Sequence, residues 1–125
     1  MEVSIEALLG KKIVDIKGLN AGSGLAEFVC ADGSKFEMYH DQDCCESVSI
    51  NDVEGDVADL VGHEIVLAEE VDSSDFPAPS SNDAYDYSYT WTFYRLASAK
   101  GFVVIRWLGE SNGYYSESVT ITQRA

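Results

Sequence analysis

The chain has 125 residues, 46% of them hydrophobic, which is enough to bury the core of one globular domain and argues against a disordered chain. Its formal net charge is −14, and residues 41–86 contain 14 Asp and Glu but no Lys or Arg. Such a surface repels nucleic acid and anionic membranes, because binding to phosphate groups requires Lys and Arg; direct nucleic-acid binding is therefore not expected.

The first half of the chain predicts one helical turn followed by four strands. Residues 4–9 form the turn, with Ser4 as its N-cap and Gly10 in the left-handed conformation that ends it. Asp32 and Gly33 give the strongest hairpin signal, because this type of turn requires positive φ. The strands predicted in this half are 13–17, 25–31, 34–39 and 47–51.

The second half predicts the same series of elements. Residues 56–61 form a helical turn that Asp56 caps and Gly62 ends. Residues 72–86 are rich in Ser, Asp and Pro and predict a long exposed loop. The clearest strand alternates aromatic residues with Ser and Thr, which indicates one aromatic face. The strands predicted in this half are 63–71, 87–97, 102–108 and 114–123.

The two halves resemble each other. Residues 4–14 align with 56–66, and Glu46 to Ile50 align with Glu117 to Ile121, where four of five residues are identical. We interpret residues 4–51 and 56–123 as two copies of one unit within a single domain of residues 1–125. The alternative is two unrelated runs of strands. The predicted fold is mainly β, with about eight strands in a sandwich or barrel and one helical turn opening each half.

Two glutamates are the first candidate site. Side chains alternate along a strand, so Glu46 shares a face with Val48 and Ile50, which must point into the core. The repeat places Glu117 in the same way. A buried carboxylate needs a partner or a raised pKa, and the candidate partners are tyrosine hydroxyls, His40, Arg95 and Arg106. Each glutamate either caps loop N–H groups or serves a pocket that binds ligands or exchanges protons.

The loop before Glu46 is rich in side chains that can carry chemistry. Its members are His40, Asp41, Asp43, Cys44, Cys45 and Glu46. Zinc sites use separated ligand pairs and calcium loops need a central Gly, so the spacing argues against a metal. A nucleophilic Cys with His40 as its base is an alternative, although acidic surroundings make a thiol less reactive. We expect one of the two cysteines to be buried and the other to be a loop thiol.

A second candidate surface lies near the C-terminus, where aromatic and polar side chains suited to binding follow a predicted strand. Its members are Trp107, Glu110, Asn112, Tyr114 and Tyr115. The alternative is that Trp107 is core and the tyrosines cover the edge of the sheet. The complete set of candidate ligand-binding residues is His40, Asp43, Glu46, Arg106, Trp107, Glu110, Asn112, Tyr114, Tyr115 and Glu117. No cofactor motif, catalytic residue or metal ligand is predicted.

Several segments of the sequence resemble those of a family of small uncharacterised proteins of bacteriophages and bacteria. The resemblance rests on YHDQDCCESV at residues 39–48, AEE at residues 68–70, SYTWTFYRL at residues 88–96 and RWLGESNGYYSE at residues 106–117. It implies a phage or prophage setting, in which small acidic proteins often bind host factors, sometimes as inhibitors or nucleic-acid mimics. It transfers no activity.

We therefore expect a non-enzymatic acidic protein that binds a host protein, and its charge suits a partner with a basic surface. The alternatives are a small-molecule binder with a pocket at Glu46 and Glu117, and an enzyme that uses the same carboxylates as acid and base. The acidic N-terminus, the odd number of cysteines and the absence of a long apolar run predict a cytoplasmic protein with no membrane span. No feature of the sequence indicates an oligomeric state.

Overall fold

The structure is a computed structural model that describes residues 1–72, 88–111 and 116–124. Eight strands lie within these residues: β1 (Ile13–Lys17), β2 (Leu25–Cys30), β3 (Lys35–Tyr39), β4 (Ser47–Glu54), β5 (Leu67–Asp72), β6 (Ser88–Ser98), β7 (Gly101–Ser111) and β8 (Thr120–Arg124). Two short 3-10 helices, Ile5–Leu8 and Val57–Asp59, precede β1 and β5. The prediction of a mainly β fold with eight strands is confirmed.

The strands form two antiparallel sheets. In the first sheet the order is β1-β2-β3-β8, and in the second it is β4-β7-β6-β5. The described strands do not close into a barrel, so of the two predicted architectures the fold is the sandwich-like one. Pairing is extensive along the long hairpin of β6 and β7, where Ser88 lies opposite Ser111 and Ser98 opposite Gly101.

The two sheets have corresponding topologies. Each contains the first three strands of one half of the chain, β1-β2-β3 or β5-β6-β7, and the fourth strand of the other half, β8 or β4. Each half therefore contributes its last strand to the opposite sheet. This arrangement is what two copies of one unit would give if their fourth strands were exchanged, and it brings the segments that precede β4 and β8 to the junction between the sheets.

The two short helices confirm some of the capping residues predicted for their ends and contradict one. Asp56 accepts a hydrogen bond from the Ala58 amide at 3.0 Å, as a capping residue does. Ser4 occupies the N-cap position, but its side chain makes no capping hydrogen bond, so that expectation is wrong. Gly10 and Gly62 have φ of 81° and 85°, the left-handed conformation that was predicted. No helix within the described residues has the length and apolar character needed to cross a membrane.

The inner face of β6 is apolar at the C-terminal end of the strand and carries hydroxyl groups at the N-terminal end. Tyr94 and Leu96 belong to the core, and they pair with the core residues Ile105 and Val103 of β7. Thr92 shares this inner face, because side chains two residues apart point the same way. The aromatic residues of the alternation lie on the outer face, where Trp91 is only 5% exposed but is not part of the core cluster. Within the alternation, the hydroxyl residues Ser88, Thr90 and Thr92, and not the aromatic ones, therefore face the other sheet.

Several predicted boundaries are corrected. Residues 63–66 are not in a strand, and β5 begins only at Leu67. Residues 116–119 are irregular, and β8 begins at Thr120 and not at residue 114. The parity argument therefore holds for Glu46, next to a continuous strand, but not for Glu117. Most of the loop predicted at 72–86 lies outside the described residues.

Candidate functional site

The loop between β3 and β4 contains a buried charged pair. His40 Nε2 lies 2.7 Å from Glu46 Oε2, and the two side chains are 3% and 0% exposed. The other ring nitrogen, Nδ1, lies 2.7 Å from the carbonyl oxygen of Ser118. His40 therefore links the loop that precedes β4 to the segment that precedes β8.

Glu46 is held by its own loop as well as by His40. Its Oε2 accepts the Asp43 amide at 2.8 Å, and its Oε1 accepts the Cys44 amide at 2.9 Å. Gln42 Nε2 donates to the carbonyl of Glu46 at 2.6 Å and closes the loop further. Burial alone would raise the pKa of Glu46, but the hydrogen bonds from His40, Cys44 and Asp43 outweigh it and lower the pKa to about 2.

The protonation of the pair follows from its neighbours. The Ser118 carbonyl can only accept a hydrogen bond, so Nδ1 of His40 must carry a proton. The carboxylate of Glu46 also accepts, so Nε2 of a protonated ring donates to it. With the ring protonated, the two side chains form a buried ion pair that fixes the loop.

The two adjacent cysteines differ from their prediction. Cys44 and Cys45 are joined by a disulfide, and both are exposed. The expectation of one buried side chain and one loop thiol is wrong for both residues. The free thiol is Cys30, which is buried in the core, and burial raises its pKa. The described residues contain no group of three or more His, Cys, Asp or Glu side chains arranged to bind a metal ion.

Glu117 stands at the equivalent place in the second half and has different partners. Thr90 donates its hydroxyl to Oε1 at 2.7 Å, and Ser111 donates its hydroxyl to Oε2 at 2.5 Å. Gly109 allows this approach, because a Cβ on it would lie 2.6 Å from the Glu117 carbonyl oxygen. Glu117 is half-buried, and no Lys, Arg or His of the described residues forms an ion pair with it.

A cavity of about 350 Å³ lies beside Glu117, and we call it the hydroxyl cavity. Its lining is Glu70, Ser88, Thr90, Thr92, Tyr94, Ser116, Glu117, Ser118 and Val119. A second cavity of about 590 Å³ shares Glu70 and Val119 with it and adds Glu2. We call the two together the acidic groove, since its described lining holds three carboxylates and no Lys, Arg or His.

Arg106 does not join this site. Its guanidinium donates to Asn51 Oδ1 at 2.9 and 2.6 Å and lies 5.3 Å from the centre of the Trp91 ring. These contacts are on the outer face of the second sheet, whereas Glu117 packs on the inner face. The candidate pairing of Arg106 with either glutamate is therefore wrong. Arg95, the other cationic candidate, pairs with Glu69 at 3.2 Å.

The predicted aromatic surface is not assembled as expected. Trp107 is 1% exposed and belongs to the core, which was the alternative prediction for this residue. Its indole N–H has no hydrogen-bond partner among the described residues. Glu110 lies opposite both Ser47 and Tyr89 near the end of β7. Predictions for Asn112, Tyr114 and Tyr115 lie outside the described residues. Asp43 is exposed and contributes its backbone amide to Glu46.

Sequence reasoning missed the residues that line the cavity beside Glu117. Glu70 and Thr92 stand in segments that carry the family resemblance, but neither is predicted as a site residue, because the alternation in β6 draws attention to the aromatic residues. The signal was present in the same alternation: a strand whose other face is Ser88, Thr90 and Thr92 either exposes those hydroxyls to solvent or turns them toward a polar cavity. Only the packing of the two sheets distinguishes these possibilities.

Comparison with known proteins places the chain in a family. Searches of curated proteins and of solved structures each found no match. A family model described as a domain of unknown function, DUF7448, matches residues 6–121. The match covers both glutamate segments and all strands except the last residues of β8. The chain therefore belongs to the DUF7448 family of domains of unknown function.

Proposed function

We propose that the protein is a non-enzymatic binding protein that engages a partner protein with a basic surface through the acidic groove. The observation that carries this proposal is the set of carboxylates Glu2, Glu70 and Glu117, which line adjoining cavities whose described lining contains no Lys, Arg or His. A half-buried carboxylate without a counter-ion is stabilised when a ligand brings one.

The rest of the charge supports the same proposal. The acidic residues of the stretch 41–86 give the molecule a negative field that speeds the approach of a basic protein. The resemblance to phage and prophage proteins suggests where this happens: the partner is a host factor in the bacterial cytosol, and the protein acts on it as an inhibitor or as a mimic of nucleic acid.

Acid–base catalysis by the two glutamates fits the geometry less well than binding does. Glu46 uses both carboxylate oxygens for His40 and for loop amides, and it is fully buried. A general acid or base must reach the substrate, so Glu46 is not available as the second member of a catalytic pair. Of these two glutamates, Glu117 is the one that lines the cavity.

A small-molecule binder is the second candidate, and the hydroxyl cavity favours it. Its volume of about 350 Å³ falls in the range of small-ligand sites. In this version Glu117 contacts the ligand and Glu46 does not. A ligand-induced rise in Tm should then disappear in Glu117→Gln, with the melting curve of the unliganded variant showing that it still folds.

The main proposal is tested by capture from bacterial lysate on three immobilised forms of this protein, the wild type and two charge variants. These are the wild type, the groove variant Glu70→Gln/Glu117→Gln, and the control Glu6→Gln/Glu54→Gln, which removes two exposed charges outside both cavities. We expect a basic protein to bind the wild type and the control but not the groove variant, and to be released by salt. Capture that is insensitive to salt, or equal loss in both variants, would contradict the proposal.

A further inference from the structure

The wall of the hydroxyl cavity offers hydrogen-bond acceptors to whatever fills it. Thr90 donates its only hydroxyl hydrogen to Glu117 Oε1, so its oxygen has only lone pairs left to offer. The hydroxyl oxygens of Ser116 and Ser118 are 2.7 Å apart, so one of the two hydroxyls donates to the other and then has only lone pairs left to offer. With two carboxylates, Glu70 and Glu117, and no cationic side chain in the described lining, the cavity fits a ligand that donates hydrogen bonds and carries positive charge.

Thr92 gives a second and independent indication of a ligand. It is 5% exposed, lines the cavity, and its hydroxyl has no hydrogen-bond partner among the described residues. Among the described side chains, Trp107 Nε1 is the buried polar atom that lacks a partner, so the Thr92 oxygen is not sealed from solvent but opens into the cavity. A donor bound in the cavity would complete the hydrogen bonding of Thr92 and would lie beside the Glu117 carboxylate.

The hydrogen bonds that Glu117 already accepts decide which cationic group suits the cavity, a guanidinium or a primary ammonium. A guanidinium binds a carboxylate best through two parallel hydrogen bonds, one to each oxygen. Each oxygen of Glu117 already accepts a hydroxyl, from Thr90 or from Ser111, which hinders that bidentate geometry. An ammonium is a compact charge with three donors, and it can use one remaining lone pair together with neighbouring hydroxyl oxygens.

We infer that the hydroxyl cavity binds a primary ammonium group, with Glu117 as its counter-ion and Thr92 as a further acceptor. The inference rests on the proposed function, since it names the chemical group that the acidic groove takes. The ammonium is either the end of a lysine side chain or a free alkylamine, and both sources present the same group to the cavity.

Titration of the full chain with n-butylammonium, followed by amide NMR, tests the inference. We expect saturable shifts at the cavity residues with a dissociation constant on the order of 1 mM, as suits a ligand of five heavy atoms. Butylguanidinium and butanol serve as matched probes and should bind at least about tenfold more weakly. Equal or tighter binding of butylguanidinium, or no saturable shift with n-butylammonium, would overturn the inference.

Two variants connect the binding to the named residues. Glu117→Gln removes the counter-ion and should weaken n-butylammonium binding at least about tenfold, and Thr92→Val, which preserves shape, should weaken it about threefold. Glu54→Gln is the control with the same change in net charge and should bind like the wild type. The NMR spectrum reports folding of each variant, and Thr92→Val keeps the test decisive if Glu117→Gln is misfolded. Unchanged affinity in Thr92→Val and in folded Glu117→Gln would overturn the inference.

A capped peptide with a single lysine and 1,5-diaminopentane separate the two sources. Tighter binding of the peptide supports a lysine of a partner protein, and tighter binding of the diamine supports a free amine. The test also separates this inference from the proposed function. If basic-partner capture depends on the groove but n-butylammonium does not bind, only the ammonium inference fails; if n-butylammonium binds and no basic protein is captured, only the proposed function fails.

Discussion

Glu46 and Glu117 occupy equivalent places in the two halves of the chain, yet their carboxylates have different surroundings. Each lies six residues after its main partner, which is His40 in the first half and Ser111 in the second. The imidazolium and two amides use both oxygens of Glu46 inside the loop. Neutral hydroxyls hold Glu117, leave its charge unbalanced and expose it to a cavity. The identity of one partner residue therefore decides whether the same carboxylate stabilises the fold or remains available to a ligand.

The largest effect that this comparison predicts is that of His40→Ala. The change leaves Glu46 buried without its cation and removes the donor to the Ser118 carbonyl. Breaking a buried ion pair is strongly destabilising, and we expect Tm to fall by more than about 10 °C. Thr90→Val is the matched change at Glu117, and it removes one hydrogen bond to a carboxylate, worth about 1.5–3 kcal/mol and less than the loss expected from breaking the buried pair. Equal losses of Tm, measured by circular dichroism, would show that the two sites do not differ.

The acid stability of the protein tests the same difference without changing the chain. The pKa of Glu46 is lowered from 4.5 to about 2, so the folded state binds this proton less readily than the unfolded state. Its contribution to stability is present above about pH 4.5 and is lost as the pH falls through about 2. We expect Glu46→Gln to be less stable at neutral pH but to lose less stability across this window. A profile of the urea midpoint against pH that is as steep for Glu46→Gln as for the wild type would contradict the assignment to Glu46.

The fold was more predictable than the site because strands and turns are indicated by residues that are close together in the sequence. The turn at Asp32 and Gly33 and the alternation in β6 depend on neighbouring residues, and both were read correctly. Parity placed Glu46 beside the core because it continues directly into β4. Which face of β6 turns inward is decided by the other sheet, so the sequence alone did not reveal the cavity at Thr92. The separation of Arg106 from Glu117 depends on that same packing.

Gly109→Ala tests whether close packing positions Glu117. An added Cβ would lie 2.6 Å from the Glu117 carbonyl oxygen and 2.7 Å from its Cβ, so the backbone of one strand or segment must shift. We expect a loss of about 1–3 kcal/mol in the free energy of unfolding, together with weaker n-butylammonium binding. Gly24→Ala is the control, since a Cβ there meets no atom within 4 Å. Wild-type stability and binding in Gly109→Ala would mean that this contact does not position the carboxylate.

Glu117→Gln should affect stability much less than it affects binding. The side chain is half-buried, its partners are neutral hydroxyls, and the amide keeps one acceptor oxygen for them. We expect a change of about 1 kcal/mol or less in urea-induced unfolding. A loss as large as that of His40→Ala would make Glu117 a structural residue and would remove the contrast between the two halves.

The smallest effect is expected from Cys44→Ser/Cys45→Ser, which removes the disulfide from the loop that holds Glu46. The hydrogen bond from residue 44 to Glu46 comes from its backbone amide and not from its sulfur, so serine retains it. Both side chains are exposed, and a link between neighbouring residues restricts the unfolded chain very little. We expect the free energy of unfolding to change by less than about 0.5 kcal/mol. A drop in Tm comparable to that of His40→Ala would instead show that the disulfide, and not the ion pair of His40 and Glu46, organises this loop.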